Sequence, residues 1–185
     1  MNTVITSREA ILDTCLQLVK EHGWSAVNIR NVAKACGVSV GSIYYYFDSK
    51  AALTAATVES IWCDIFHFPE PESDFDSFLS CVQWIFDRIR KGSEQYPGFF
   101  VSHSMNFKGV DQPDGRQLMA QSWEHMQTKL YEILMQDQKI RPEAFNDLLS
   151  PQKFVDMVFS LVISALIRQN YDDSAILEMI RRILY

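Results

Sequence analysis

The sequence predicts an all-α protein. Apolar residues recur at three- and four-residue steps along most of the 185 residues, and we find no alternating apolar and polar stretch of the kind that forms a half-buried strand. Polar capping residues precede these stretches and glycines follow several of them. We predict about nine helices, arranged as an N-terminal three-helix domain over residues 1–47 and a helical domain over residues 48–185, with helix 48–67 as the connector.

The N-terminal helices have clear start and stop signals. Thr6 can cap the first helix in a capping box, and Gly23 ends it because glycine enters the left-handed conformation at low cost. Asn28 can cap a short second helix over 29–36, and Gly37 ends it. The next two N-caps are of the same kind: Ser39 for a third helix through residue 47, and Asp48 or Ser49 for a fourth.

The rest of the chain is also predicted to be helical. The acidic, proline-broken stretch 67–74 separates the fourth helix from a fifth, which begins near Phe78. After an aromatic segment, 99–107, we expect a loop that contains Pro113 and Gly115. Three further helices follow, over about 119–134, 152–170 and 173–185, and the last two are the most apolar part of the chain.

Composition excludes several classes of protein. No apolar run reaches the roughly 18 residues of a membrane span, and the N-terminus lacks the apolar core of a signal peptide, so we expect a cytoplasmic protein. The four cysteines are widely spaced, and we interpret them as buried, reduced thiols, with a redox or metal role as the alternative. No nucleophile–base motif, metal-ligand spacing or phosphate loop appears, so we predict no enzyme, no cofactor and no metal.

The charge of the chain is unevenly distributed. The net charge is −6, whereas residues 1–50 hold five basic and four acidic side chains, a net of +1. The acidic excess therefore lies beyond residue 50, and DNA could approach the N-terminal end alone. This charge permits nucleic-acid binding without arguing for it.

Residues 28–50 hold the motif that points to a function. Two short helices joined by Cys36-Gly37-Val38-Ser39 are typical of a helix-turn-helix, whose second helix enters the major groove of DNA, about 12 Å wide. The stretch resembles the DNA-binding signature of the TetR family of bacterial transcriptional regulators. The matching positions keep the family's order: Asn28, Ile29-Arg30, Val32-Ala33, Gly37-Val38-Ser39, Gly41-Ser42, Ile43-Tyr44, Tyr46-Phe47 and Lys50.

The resemblance implies a division of roles on DNA. Asn28 and Arg30 open the second helix, where the family contacts phosphate and in some members a base edge. Tyr44 and Tyr46 would donate their phenols to phosphates, and Lys50 would pair with one. The residues expected to contact DNA are Asn28, Arg30, Ser39, Val40, Gly41, Ser42, Tyr44, Tyr45, Tyr46 and Lys50.

Core packing and solvation are alternative interpretations for part of this stretch. The ring of Tyr44 can pack inward, Tyr45 can lie on an ordinary surface, and Lys34 fits a solvated charge. Residues 40 and 41 offer few hydrogen bonds to base edges, and the N-terminal segment offers only one basic residue, Arg8, so we expect modest direct readout. The residues that fit the core are Val32, Ala33, Val38, Ile43 and Phe47.

The penultimate helix is apolar on two faces and must be covered on both. One face can serve the chain's own core, and the second indicates a partner, because a single helix-turn-helix buries too little surface for tight, specific binding. A four-helix bundle in a homodimer is also what the resemblance implies; the alternative is a monomeric core. The expected interface residues are Val155, Phe159, Ile163, Ile167, Ile176 and Ile180.

The middle helices carry aromatic and thioether side chains that suit an apolar ligand pocket. His103 would be a polar anchor there, or else an ordinary surface histidine, and core packing explains most of the other residues equally well. The expected lining residues are Trp84, Phe100, His103, Phe107, Trp123 and Met126.

Together, the residues and the resemblance predict a homodimeric transcriptional repressor. It would bind a palindromic operator in double-stranded DNA and leave it when a small-molecule effector binds. The alternative is a TetR-like activator, or a DNA-binding protein that a protein partner controls in place of a small ligand.

Overall fold

The protein is all-α, as predicted. The computed structural model describes residues 6–66, 75–100 and 113–185, the side chains of 113–122 excepted, and these ranges contain no strand. None of the helices in them is long and apolar enough to cross a membrane. The eight described α-helices, close to the predicted count, are α1 Arg8–His22, α2 Ile29–Ala35, α3 Val40–Tyr46, α4 Lys50–Ile65, α5 Phe78–Gln95, α6 Pro113–Gln136, α7 Pro151–Arg168 and α8 Ser174–Leu184.

The chain divides into two compact units. The first consists of Met1–Ile65 with Gly92–Arg116, and the second of Phe66–Lys91 with Gln117–Tyr185. In this division α4 belongs with α1, α2 and α3. The predicted domain boundary after residue 47 places α4 with the C-terminal domain, as its connector.

Side-chain caps begin the N-terminal helices. Ser7, not the predicted Thr6, caps α1: its hydroxyl accepts the backbone N–H of Ala10 at 3.1 Å, because α1 begins one residue later than expected and the cap must reach the third amide beyond it. The predicted caps Asn28 for α2 and Ser39 for α3 are confirmed, and of the two alternatives for α4 the cap is Ser49, not Asp48; each of the three accepts an amide at 3.0 Å.

The core of the first unit joins α1, α2, α3 and α4. The predicted core residues of the helix-turn-helix lie in it, with Val38 packed at its edge. The guanidinium of Arg8 lies 5.2 Å from the ring centroid of Phe47 and covers this side of the core as a cation–π contact. The buried residues are Ile11, Cys15, Ile29, Val32, Ala33, Ile43, Phe47, Leu53 and Ala56.

Residues beyond position 92 complete the first unit. Gly92 lies against Ile65 of α4, and a Cβ added to this glycine would stand 2.9 Å from two side-chain atoms of Ile65. Tyr96 is fully buried, and its hydroxyl donates to the carboxylate of Asp64 at 2.5 Å. Edge-to-face ring contacts extend this packing to Trp24, Trp62, Phe99 and Phe100.

Polar contacts fix the helix ends of the second unit. Asp137, just after α6, accepts the backbone N–H of Phe78 at 2.8 Å and the hydroxyl of Tyr185. Arg90 of α5 donates to the carbonyl of Tyr171 at 2.9 Å, between α7 and α8. The fully buried residues around these contacts include Phe78, Val82, Ile85, Phe86, Leu130, Phe154, Val155, Val158 and Ile180.

Two prolines begin helices. α6 begins at Pro113, so the predicted loop with Pro113 and Gly115 is wrong. Proline suits the first helical position, because its φ is already helical and the N–H that it lacks would have no partner in the helix. Pro151 begins α7 in the same way, after the N-cap Ser150.

The cysteines are free thiols with different exposure. Cys15 and Cys81 are fully buried, and burial raises the pKa of these thiols to about 11 and about 12. Cys36 is half-buried and Cys63 is exposed on α4. The prediction of four buried thiols is therefore wrong for Cys63, whose position faces solvent.

Candidate DNA-binding site

A tight turn sets α3 against α2. Gly37 has a φ of +67°, and its N–H bonds to the carbonyl of Lys34 at 3.2 Å. The N–H of Val38 bonds to the carbonyl of Ala33 at 3.0 Å, which completes a Schellman motif. A side chain at position 37 would be strained in this backbone conformation. The chain therefore turns at Gly37 and starts α3 at once, with Ser39 as its cap.

One face of α3 points to solvent. Ile43 is fully buried, whereas Val40, Tyr44 and Tyr45 expose 40%, 46% and 81% of their surface. Gly41 is exposed beside them. These four residues are called here the α3 face; positions 40 and 44, like positions 41 and 45, are four residues apart and so lie on the same side of the helix.

The polar side chains at the starts of α2 and α3 already make bonds within the protein. Asn28 is half-buried; its Oδ1 accepts the N–H of Asn31 at 3.0 Å. Ser39 accepts the N–H of Ser42 at 3.0 Å, and the two hydroxyls lie 2.9 Å apart. Asn28, Ser39 and Ser42 therefore shape the turn, and their capacity for further bonds to DNA is reduced.

Tyr46 differs from its neighbours on α3. It is half-buried, and its hydroxyl donates to the backbone carbonyl of Thr6 at 2.5 Å. The expected donation from this phenol to a phosphate does not fit, because the hydroxyl proton is already used. This hydrogen bond was not predicted from the sequence, because 40 residues separate the two partners. Tyr46 also meets Tyr45 edge-to-face, with ring centroids 5.0 Å apart.

Three basic side chains lie on the helices that precede and follow α3 in the chain. Arg30 and Lys34 on α2 and Lys50 at the start of α4 are exposed, and none of them makes an ion pair within the described ranges. Lys50 lies in the first turn of its helix, where the helix dipole disfavours a cation. Its position therefore suits an external anion better than it suits the stability of α4.

The expected pocket residues fall in both units. Phe100, in the first unit, is buried against Trp62. In the second unit, Trp84 and Trp123 are half-buried and Met126 is buried. Edge contacts join Trp84 to Phe75 and Trp123 to Phe159. His103 and Phe107 lie outside the described residues.

The second unit also has a cleft of about 290 Å³ that the sequence did not suggest. Its lining residues are Phe75, Asp76, Ser77, Ile133, Gln136, Asp137, Gln138 and Lys139.

The expected interface residues differ in exposure. Val155, Phe159 and Ile180 are buried within their own chain, so they cannot form the surface of a partner contact. Ile163 and Ile176 are half-buried, and Ile167 is 43% exposed. Among the apolar side chains of α7, Met157 is exposed and Leu161 half-buried.

A capped turn, an outward α3 face and exposed cations on α2 and α4, without ion pairs in the part of the chain that the structure describes, are the arrangement of a helix-turn-helix DNA-binding protein. Known proteins agree with this class. Residues 11–57 match the family model of bacterial regulatory proteins of the tetR family. Residues 11–57 are therefore similar to the DNA-binding domain of TetR-family transcriptional regulators, and the proteins that the chain resembles are regulators, not enzymes.

Individual relatives match parts of the chain. The transcriptional repressor KstR2 of Rhodococcus jostii is 34% identical over 59 residues, which is 32% of this chain and 29% of KstR2. IcaR of Staphylococcus aureus, a negative regulator of the biofilm operon icaADBC, is 25% identical over 100 residues, 52% of this chain and 53% of IcaR. The chain thus spans less than a third of the length of KstR2 and about half of the length of IcaR.

The likeness of fold extends over almost the whole chain. The structure of the regulator FadR of Bacillus subtilis in complex with stearoyl-CoA has a TM-score of 0.67 and covers 96% of this chain and 98% of its own. The sequence identity is 16%, so this likeness shows the fold.

Proposed function

We propose that this chain is a homodimeric repressor that binds a near-palindromic operator through two α3 helices and leaves it when a small molecule binds. The observation that carries the proposal is the exposed α3 face, together with the exposed Arg30 on α2 and Lys50 on α4, which make no ion pair in the described ranges. Duplex DNA offers a groove wide enough for such a helix, bordered by phosphates.

The proposed contacts divide according to whether each polar group is already bonded within the chain. Val40, Gly41, Tyr44 and Tyr45 enter the groove or lie along its edge, with Ser39 and Ser42 beside them. Arg30 and Lys50 pair with phosphates. Asn28 and Tyr46 hold the helix starts in place, because their polar atoms are bonded within the chain.

A second copy of the chain is part of the proposal, because one α3 helix buries too little surface for tight, specific binding. Val155, Phe159 and Ile180 serve the chain's own core, so the contact would use the solvent side of α7 and α8. The interface residues in this proposal are Met157, Leu161, Ile163, Ile167 and Ile176. A dimer would hold the two α3 helices about one DNA turn apart, roughly 34–36 Å.

DNA binding is tested by fluorescence anisotropy on the DNA next to the protein's own gene, at several salt concentrations. Each lost phosphate contact lowers the slope of log affinity against log salt by about 0.9, so Arg30→Ala should lower it by about 1.8 in a dimer. Lys34→Ala is the matched control on the same helix, and we expect it to change the slope less. Equal effects of the two variants would contradict the assignment of Arg30.

Effector binding is tested by thermal shift against a panel of metabolites, with and without the bound DNA. The panel includes long-chain acyl-CoA thioesters, because the FadR structure of this fold contains one. A compound that stabilises the free protein and dissociates DNA supports the repressor, since a ligand shifts an equilibrium only by its preference for one state. DNA binding without any such compound would favour control by a protein partner.

A further inference from the structure

We infer that α3 recognises its operator by an apolar contact, in which Val40 packs against the C5-methyl group of a thymine in each half-site. This inference rests on the proposed function and names the feature of the DNA that the α3 face selects. Gly41 makes the contact possible, because the helix surface beside Val40 carries no side chain there.

The side chains of α3 cannot make the common polar contacts to bases. Its seven residues, VGSIYYY, include no charged side chain and no side-chain amide. Bidentate hydrogen bonds to guanine come from arginine or lysine, and bidentate hydrogen bonds to adenine come from asparagine or glutamine. The α3 helix supplies none of these four residue types.

The two serines at the start of α3 add little polar recognition. Their hydroxyls lie 2.9 Å apart and share one hydrogen, and Ser39 also accepts the N–H of Ser42. The pair therefore presents at most one free hydroxyl donor to the groove. Of the residues on the α3 face, Val40 has the only aliphatic side chain, and 40% of its surface is exposed.

Gly41 lets the helix approach the bases closely. A Cβ added at this position would meet nothing closer than the hydroxyl oxygen of Ser39, at 3.6 Å, which is an ordinary contact. Alanine therefore fits at position 41 in the free protein, but its methyl would stand out from the α3 face. The only apolar group that any base pair shows in the major groove is the thymine methyl. Val40 matches that group in chemistry.

The experiment selects a bound duplex from a random-sequence library with the full-length protein, and then replaces each thymine of the selected sequence by deoxyuridine, which lacks the methyl group. We expect one symmetric pair of positions at which the replacement weakens binding about fourfold per half-site, the effect of one exposed methyl group. Replacement of any other thymine should weaken binding by less than half of this factor. Val40→Ala should bind the thymine and deoxyuridine duplexes with equal affinity.

The variant Gly41→Ala separates the loss of DNA contact from the loss of folding. Its melting temperature should equal or exceed that of the parent, because alanine favours a helix, and its affinity for the selected duplex should fall. Equal binding of the parent to every deoxyuridine duplex, or an undiminished deoxyuridine effect in Val40→Ala, would overturn the methyl contact while leaving the repressor proposal intact. Failure to select any duplex would overturn both.

Discussion

Tyr44 and Tyr46 allow two roles of the same hydroxyl to be separated on one helix. Tyr44 exposes 46% of its surface, and its hydroxyl makes no hydrogen bond in the described part of the chain. The hydroxyl of Tyr46 donates to the carbonyl of Thr6. Changing each tyrosine to phenylalanine removes one oxygen atom and leaves the ring. We predict that Tyr46→Phe lowers stability and that Tyr44→Phe lowers DNA affinity.

The size of each effect follows from the environment of the hydroxyl. A hydrogen bond within a protein contributes about 0.5–1.5 kcal/mol net, and Thr6 is half-buried, so water replaces part of the lost bond. We expect Tyr46→Phe to lower the free energy of unfolding by about 1 kcal/mol, which is about 2–4 °C in Tm for a chain of this size. Tyr44→Phe should leave Tm unchanged.

DNA binding should show the reverse order. A phenol bonded to a charged phosphate contributes about 1.5 kcal/mol per subunit, the lower end of the range for charged partners because the phosphate stays hydrated, so Tyr44→Phe should weaken a dimer about 150-fold on its operator. The salt slope should stay the same, because a neutral phenol releases no counterion. Calorimetric melting and anisotropy measure the two effects. If Tyr46→Phe weakens DNA binding as much as Tyr44→Phe while its Tm is unchanged, the bond to Thr6 is not a structural one, and our reasoning is refuted.

Three further predictions concern packing and charge. Gly92→Ala should lower the free energy of unfolding by about 1 kcal/mol, because the overlap of its new methyl group with Ile65 costs about 2 kcal/mol and the higher helix propensity of alanine offsets about 1 kcal/mol of this. Chemical denaturation measures this loss, and Ile65→Val in the same chain should restore part of it. Lys50→Gln should raise stability by about 0.3–1 kcal/mol by relieving the helix dipole, and should weaken DNA binding, as melting and anisotropy would show. Burial and the carboxylate of Asp137 raise the pKa of Tyr185 to about 12. The neutral phenol therefore stabilises the fold fully below about pH 10, and this stability is lost as the pH rises towards 12. Phenolate absorbance measures the titration.

Each of these has a result that would contradict it. A Gly92→Ala variant as stable as the parent would mean that the side chain of Ile65 moves aside freely. A Lys50→Gln variant with unchanged affinity would remove Lys50 from the DNA contacts. For Tyr185, the control is Tyr185→Phe: if that variant lost a titration step at pH 10, the pKa of this residue would be ordinary.

The features that the sequence predicted well are local. The caps Asn28, Ser39 and Ser49 and the turn at Gly37 depend on bonds within three to five residues, so the pattern of residue types identifies them. Thr6 was mistaken for the cap of α1 because the next residue, a serine, has the same chemistry. Only the backbone decides between two adjacent hydroxyls.

Contacts between distant residues could not be predicted in the same way. The bond from Tyr46 to Thr6 changes the role of a tyrosine that looks like its neighbours in sequence. The two apolar faces of α7 were recognised, but which residues the chain's own core covers depends on the helices packed around them, and Val155 and Phe159 proved to be buried there. Proline gave an ambiguous signal at Pro113, because both loops and helix starts accept it.

The first unit is discontinuous in sequence, and this has a consequence during translation. The residues that close it, Gly92, Tyr96 and their aromatic neighbours, follow Ile65 only after a stretch that belongs to the other unit. At about 5–20 residues per second, a ribosome needs roughly 2–7 s to add the 35 residues from Ile65 to Phe100. During that time Trp24 and Trp62 lack the rings of Phe99 and Phe100 that pack against them in the finished fold.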